Sequence, residues 1–95
     1  MCTYQTARLP MEGSGKGSDG WFQLTGATVY FDHPVHAAAE HTLNIDLINP
    51  SLGAGARVAV ELDPEAARSL ARAILQMLET VPSGLLDDPI GEVRA

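Results

Sequence analysis

The chain has few of the residues on which several classes of protein depend. It contains one cysteine, Cys2, so an internal disulfide is impossible and a reducing compartment is expected. Its 6 basic residues against 12 acidic ones give a net charge of −6, which argues against nucleic acid and anionic membranes as main partners. No apolar run could span a membrane, and residues 1–5 lack the start of a secretory signal. A cytoplasmic protein is therefore expected.

The remaining composition is that of a globular protein, 45% hydrophobic and 19% charged. This composition is too apolar for disorder. The length predicts a single domain over residues 1–95, near the lower limit of what folds alone. Because so short a chain buries a small core, and because a partner would add buried apolar area, a homodimer is expected.

Alternation of apolar and polar residues predicts four β-strands. Residues 2–9 are rich in β-formers, and residues 42–49 and 57–62 alternate regularly on either side of a turn, which predicts an antiparallel hairpin. Residues 21–31 also alternate, but their apolar positions change parity at Thr25-Gly26. A β-bulge produces such a slip, so one long bent strand is expected. Two short strands joined by a tight turn are the alternative.

Residues 12–20, between the first two strands, contain four glycines in nine positions. Their spacing does not match a Walker phosphate loop, and no helix pattern follows. A mobile loop or lid is therefore expected here.

The last element is a helix over residues 64–81. Asp63 is a suitable N-cap and Pro64 stands at the first helical position, while apolar residues at three- and four-residue steps form one stripe. The tail, residues 85–95, shows no strong period and is expected to be frayed or to pack on a partner. Strands followed by one helix predict an α+β fold, an antiparallel sheet of about four strands packed on one long C-terminal helix. The sheet face expected against the helix consists of Leu43, Ile45, Leu47, Val58, Val60 and Leu62.

All three histidines of the chain, His33, His36 and His41, lie within nine positions between the second and third strands. Neutral imidazole is a ligand for zinc, iron, copper and nickel. Three protein ligands leave a coordination position open for water or substrate, as in catalytic sites. The sequence therefore predicts a metal-binding protein with a site for a divalent transition metal, zinc or iron first, and leaves open whether it is a metal-dependent enzyme acting on a small molecule.

Two carboxylates and the cysteine could support this site. Asp32 and Glu40 each adjoin a histidine and are the catalytic candidates, as a further ligand, an acceptor that orients a ring, or a general base. Cys2 is a fourth candidate ligand because a thiolate binds zinc and iron strongly. It is the least secure of the four, since a small buried residue is the commoner role for a lone cysteine.

Three other interpretations stay open. Pro34 holds the preceding His33 extended, so His33 could share a buried face with Phe31 and be a core residue rather than a ligand. The Trp21, Tyr30 and Phe31 rings and the glycine-rich loop could form a homodimeric module that binds a small organic ligand. A histidine–carboxylate pair could also act as an acid–base catalyst without metal.

Several segments resemble a family of small bacterial proteins of about this length that carries only an unknown-function label. They are Met1-Cys2-Thr3-Tyr4, Gly13-Ser14-Gly15-Lys16-Gly17, Gly20-Trp21-Phe22, and the run Tyr30-Phe31-Asp32-His33-Pro34-Val35-His36 through Glu40-His41-Thr42-Leu43-Asn44-Ile45-Asp46. The resemblance covers most of the chain up to the end of the helix. It implies a small stand-alone protein and brings no activity, cofactor or catalytic residue, so the site prediction rests on side-chain chemistry alone.

Overall fold

The computed structural model describes residues 5–33 and 40–86. Their elements, in chain order, are β1 (Gln5–Gly17), β2 (Gly20–Asp32), β3 (Thr42–Ile48), β4 (Arg57–Leu62), α1 (Pro64–Thr80) and the short helix α2 (Ser83–Leu86). The strands form one sheet in the order β1-β2-β3-β4, and each neighbouring pair is antiparallel. The predicted α+β class is confirmed. No helix within the described ranges is long and apolar enough to cross a membrane.

A register shift bends the β1–β2 hairpin. Pairing is regular up to Pro10 opposite Gly26 and resumes with Gly13 opposite Leu24, so two residues of β1 face one residue of β2. Leu24 lies beyond the shift and Ala27 before it, and both side chains are buried, at 5% and 4% exposure. Residues 21–31 lie in one strand, as predicted, but the extra residue at the register shift belongs to β1 and not to β2.

The glycine-rich stretch is mostly strand, which corrects the prediction of a loop over residues 12–20. Residues 12–17 continue β1, residues 18–19 form the turn, and Gly20 already begins β2. A Cβ atom at Gly15 would lie 3.1 Å from Leu24 Cδ2 and 3.3 Å from Val58 Cγ2. The end of β1 thus lies close against β4, and a Cβ atom at Gly15 would require a neighbouring side chain to shift by a few tenths of an ångström.

The β3–β4 turn is tied to the bent part of β2 by Asn49. Its side chain is buried, and its Nδ2 donates to the Gln23 carbonyl oxygen at 2.9 Å. Its Oδ1 accepts from Ser51 Oγ at 2.7 Å, and its main-chain N–H donates to the Ala56 carbonyl at 3.1 Å. These bonds satisfy a buried amide and fix the turn against the second strand.

The helix begins as the sequence predicts. Asp63 is the N-cap, its side chain accepts from the Ala66 N–H at 2.8 Å, and Pro64 follows at the first helical position. The Val81 N–H donates to the Met77 carbonyl at 3.2 Å where the helix ends.

The packing of α1 on the sheet is looser than the sequence suggests. The helix contacts chiefly β3 and β4, and none of its residues is buried. Leu70 and Ile74 line the space above the sheet yet remain exposed, and Met77 is 65% exposed. The buried hydrophobic residues of the described chain are three, Leu24, Ala27 and Ala56. Of the expected sheet face, Leu43, Ile45 and Leu62 line the space beneath the first half of the helix. Met77 and Leu78, further along the apolar stripe, are exposed.

Replacing Gly17 with alanine should destabilise the fold. Its Cβ would stand 2.9 Å from the Gly55 carbonyl oxygen, a main-chain atom, so the strands must separate, at a cost of about 1–3 kcal/mol in the free energy of unfolding. Gly26→Ala is the matched control, because its Cβ would meet only ordinary contacts of 3.7 Å or more. Urea unfolding measures both variants. Equal stability of the two would contradict the close approach of β1 and β4.

Candidate functional site

The connection between β2 and β3 is closed by a hydrogen bond between its two ends. His33 follows the last residue of β2, and its Nδ1 lies 2.9 Å from the main-chain oxygen of Glu40. The His33 side chain is exposed, so it is not the core histidine that the extended conformation before Pro34 could have produced.

This contact determines which nitrogen of His33 carries the proton. A carbonyl oxygen only accepts hydrogen bonds, so Nδ1 is the donor in the bond to Glu40. In the neutral ring the lone pair is then on Nε2. Histidines that bind metals usually have this arrangement, with one ring N–H held by a carbonyl or carboxylate and the other nitrogen turned to the metal.

A second imidazole lies beside the first. The ring centroids of His33 and His41 are 4.5 Å apart with a tilt of 34°. His41 also stacks on Phe31, with 5.9 Å between the ring centroids and 11° between the ring planes. Asp32 and Thr42 are the last paired residues of β2 and β3, so the two histidines stand directly beyond the end of that ladder.

The two candidate carboxylates have different positions. Asp32 is buried, and its Oδ1 accepts the main-chain N–H of His33 at 2.7 Å, which orients the chain at the end of β2. Glu40 is exposed and meets the His33 ring through its main-chain carbonyl. Next to them, Thr42 Oγ1 donates to Asn44 Oδ1 at 2.6 Å within the buried part of β3.

The remaining predicted ligands, His36 and Cys2, lie outside the described residues. Within residues 5–33 and 40–86 no three histidine, cysteine, aspartate or glutamate side chains come together closely enough to hold a metal ion. The structure therefore brings together two of the four residues named from the sequence, His33 and His41.

Phe31 also lines an apolar groove between the sheet and α1. The groove has a volume of about 490 Å³. Its floor is formed by side chains of β2, β3 and β4, and its wall by residues 64–74. Arg68 is the charged side chain among the lining residues. The histidine pair and the groove therefore share one aromatic ring.

The three aromatic rings considered for a ligand module do not converge. Phe31 and Tyr30 are neighbours in one strand and point to opposite faces of the sheet. Trp21 is 56% exposed and lies near the turn of the β1–β2 hairpin. Within one chain the register therefore does not bring the three rings together, and the homodimeric ligand-binding module stays an untested prediction.

Sequence reasoning missed a polar cluster on the other face of the sheet. Arg57 Nη2 and Nε lie 2.9 and 3.2 Å from Asp46 Oδ1, and Tyr30 Oη donates to Asp46 Oδ2 at 3.4 Å. Burial, and then the nearby Asp46 carboxylate, raise the pKa of the Tyr30 phenol, while Arg57 acts in the opposite direction. The signal was present in the alternation of β2 and β3, but the pairing register is needed to see it.

Comparison with known proteins places the chain in a family without an assigned role. Residues 1–87 match the model of the family of unknown function DUF6295, and the chain belongs to that family. No curated protein and no solved structure matches the chain. The expected relation to a family of unknown function is confirmed, and any function has to be inferred from the residues.

Tyr30 should ionise at higher pH than an ordinary tyrosine, whose pKa is about 10. Because the pKa of Tyr30 is raised in the folded state, folding favours the neutral phenol. This contribution to stability is complete below the ordinary tyrosine pKa and is lost as pH rises through the folded-state pKa. Absorbance at 295 nm, wild type minus Tyr30→Phe, isolates its titration from that of Tyr4. Asp46→Asn should move the curve to lower pH. A difference curve centred at or below the ordinary value would contradict this environment.

Proposed function

We propose that the protein binds a divalent transition metal, zinc or iron, through His33 and His41 at the β2–β3 connection. The observation that supports this most strongly is the bond from His33 Nδ1 to the Glu40 carbonyl, because it leaves Nε2 as a ligand nitrogen. His41 supplies a second imidazole at a ring distance of 4.5 Å. His36 and Cys2 are the further ligands that the sequence favours.

The proposed chemistry is that of a catalytic metal rather than a structural one. Structural zinc sites are closed by four protein ligands, whereas catalytic sites use three and leave a position for water or substrate. A metal held at such a position polarises a carbonyl or lowers the pKa of bound water. The small-molecule substrate class proposed from the sequence fits an exposed site at the end of two strands.

Metal-free acid–base catalysis is less well supported by the contacts of His33. A general base of this kind is usually oriented by a carboxylate that accepts from the second ring nitrogen. Here a main-chain carbonyl accepts from Nδ1, and the Asp32 carboxylate accepts from the His33 main chain. Both contacts hold the ring and the chain in place, and neither forms the histidine–carboxylate pair that the alternative needs.

Metal binding should be weakened when either histidine is replaced. We expect untagged wild-type protein to hold about one equivalent of zinc or iron per chain, measured by elemental mass spectrometry. His33→Ala and His41→Ala should reduce the zinc affinity measured by calorimetry by about 10–100-fold or more. The apo forms are compared by thermal unfolding, because loss of the His33–Glu40 bond alone would lower stability without involving a metal.

Three further variants separate the proposed ligands. Glu40→Ala keeps the main-chain carbonyl and should therefore keep the affinity, whereas a carboxylate ligand would be lost with it. His36→Ala and Cys2→Ser test the two residues outside the described ranges. Failure of the wild type to bind zinc, iron, copper or nickel, or full affinity in His33→Ala, would exclude the proposed site.

A further inference from the structure

The groove between the sheet and α1 continues directly into the histidine pair. Phe31, Leu43 and Leu62 pair across β2, β3 and β4, and all three line the groove. Alternate residues of a strand share one face of the sheet, so His33 and His41 form the next row on that face. The stacking of His41 on Phe31, with 5.9 Å between the ring centroids, agrees with this order. The groove and the histidine pair therefore form one continuous surface.

The two ends of this surface differ in polarity. On the side of Phe31 away from the histidines, the next row of the floor is apolar and consists of Val29 and Ile45. Helix α1 begins two residues after Leu62, which places its first turn near the histidine end. Arg68, the charged side chain of the groove lining, lies about one turn further along the helix. The surface is therefore apolar at one end and carries its polar groups towards the other.

We propose that the groove binds a small carboxylic acid with an apolar chain, and that the carboxylate of this ligand lies at the histidine end. The inference names the substrate class of the proposed metal site, and it rests on the proposed function for the position of the carboxylate only. Ligand pockets measure about 300–1,000 Å³, are concave and mostly apolar, and carry a few polar groups that orient the ligand. The groove, with about 490 Å³, has the size and the lining of such a pocket.

The length of the groove floor determines the length of the ligand. Val29 and His33 are four residues apart on β2 and its extension, which corresponds to about 13 Å along an extended strand. A carbon–carbon bond of about 1.5 Å advances an extended chain by about 1.3 Å, so a chain of about eight to ten carbons spans this distance. Shorter acids would leave part of the apolar floor uncovered, and the added carbons of longer acids would extend into solvent.

The charges at the histidine end favour a carboxylate as the head group. A metal held by imidazoles with an open position accepts a carboxylate oxygen as a ligand. Arg68 adds a positive charge to the lining. Its guanidinium already contacts Glu65 at 3.1 Å, but the two side chains are 63% and 81% exposed, and exposed ion pairs are weak. Arg68 therefore adds a general attraction for an anion, and the metal is the direct partner of the carboxylate.

The first test titrates metal-free, full-length protein with saturated carboxylates from butanoate to dodecanoate, each below its micelle concentration, by calorimetry and methyl NMR. The affinity should rise by up to about fourfold for each added CH₂ group and level off at about ten carbons. Signals of Val29, Ile45 and Ile74 should shift, whereas those of Met11 and Leu52 should not. An affinity independent of chain length, or shifts confined to other residues, would overturn the proposal. Binding seen only as a dimer dissociates would assign the groove to a second copy and would also overturn it.

The second test fills the groove. Ala67 lines the groove from α1 and is half-buried, so Ala67→Phe should weaken decanoate binding by at least about tenfold. Ala73→Phe is the matched control, because it places the same ring on an exposed residue of the same helix that does not line the groove. It should leave the affinity within about threefold. Equal affinity of the two folded variants, checked by circular dichroism, would contradict the proposal, and the wild-type titration decides alone if Ala67→Phe does not fold.

Zinc distinguishes this inference from the proposed function. One equivalent of bound zinc should tighten decanoate binding by at least about tenfold, because the carboxylate takes the open coordination position. Equal affinity with and without bound zinc would overturn the position of the carboxylate and leave the metal site intact. A chain that binds no zinc but binds decanoate with the expected chain-length dependence would contradict the proposed function and support the groove.

Discussion

The register shift between β1 and β2 determines where most of the other contacts lie. Two residues of β1 face one residue of β2 at this point, and the neighbouring Leu24 and Ala27 of β2 are both buried. The end of β1 lies against β4, where a Cβ atom at Gly17 would stand 2.9 Å from the Gly55 carbonyl oxygen and a Cβ atom at Gly15 would press on Leu24 and Val58. Asn49 then bonds to the bent part of β2 at the Gln23 carbonyl. A change of one residue in pairing thus sets the curvature of the sheet and the position of the β3–β4 turn.

The same ladder explains why two histidines meet. Antiparallel pairing joins residues whose numbers have a constant sum, and Asp32 opposite Thr42 extends to His33 beside His41. The observed ring distance of 4.5 Å follows from this register, and the His33–Glu40 bond closes the connection above it. A neutral hydrogen bond of this kind contributes about 0.5–1.5 kcal/mol. The pair is therefore positioned by the strands and only adjusted by the loop.

Local sequence patterns correctly predicted the start of α1 and strand β4, where the residue types have a single usual structural role. Asp63 and Pro64 act as helix-start residues in the structure as they do in peptides, and the alternation of residues 57–62 is that of β4. The glycines of β1 were misinterpreted because glycine is compatible both with a flexible turn and with close strand contact. Pro10 lies beside the register shift on an edge strand that continues to Gly17. Distinguishing these cases requires knowledge of what lies across the sheet.

Residue contacts between distant strands were the part that periodicity could not supply. Alternation placed Asp46 on the polar side of β3, but its bonds to Arg57 and Tyr30 depend on the register of three strands. For the helix, too, periodicity predicted which side is apolar but not what that side contacts. The three- and four-residue repeat correctly identifies the apolar side of α1, yet it carries no information on the width of the sheet beneath it. It also does not say how closely the helix packs, because Leu70 and Ile74 line the groove above the sheet and are still 44% and 52% exposed.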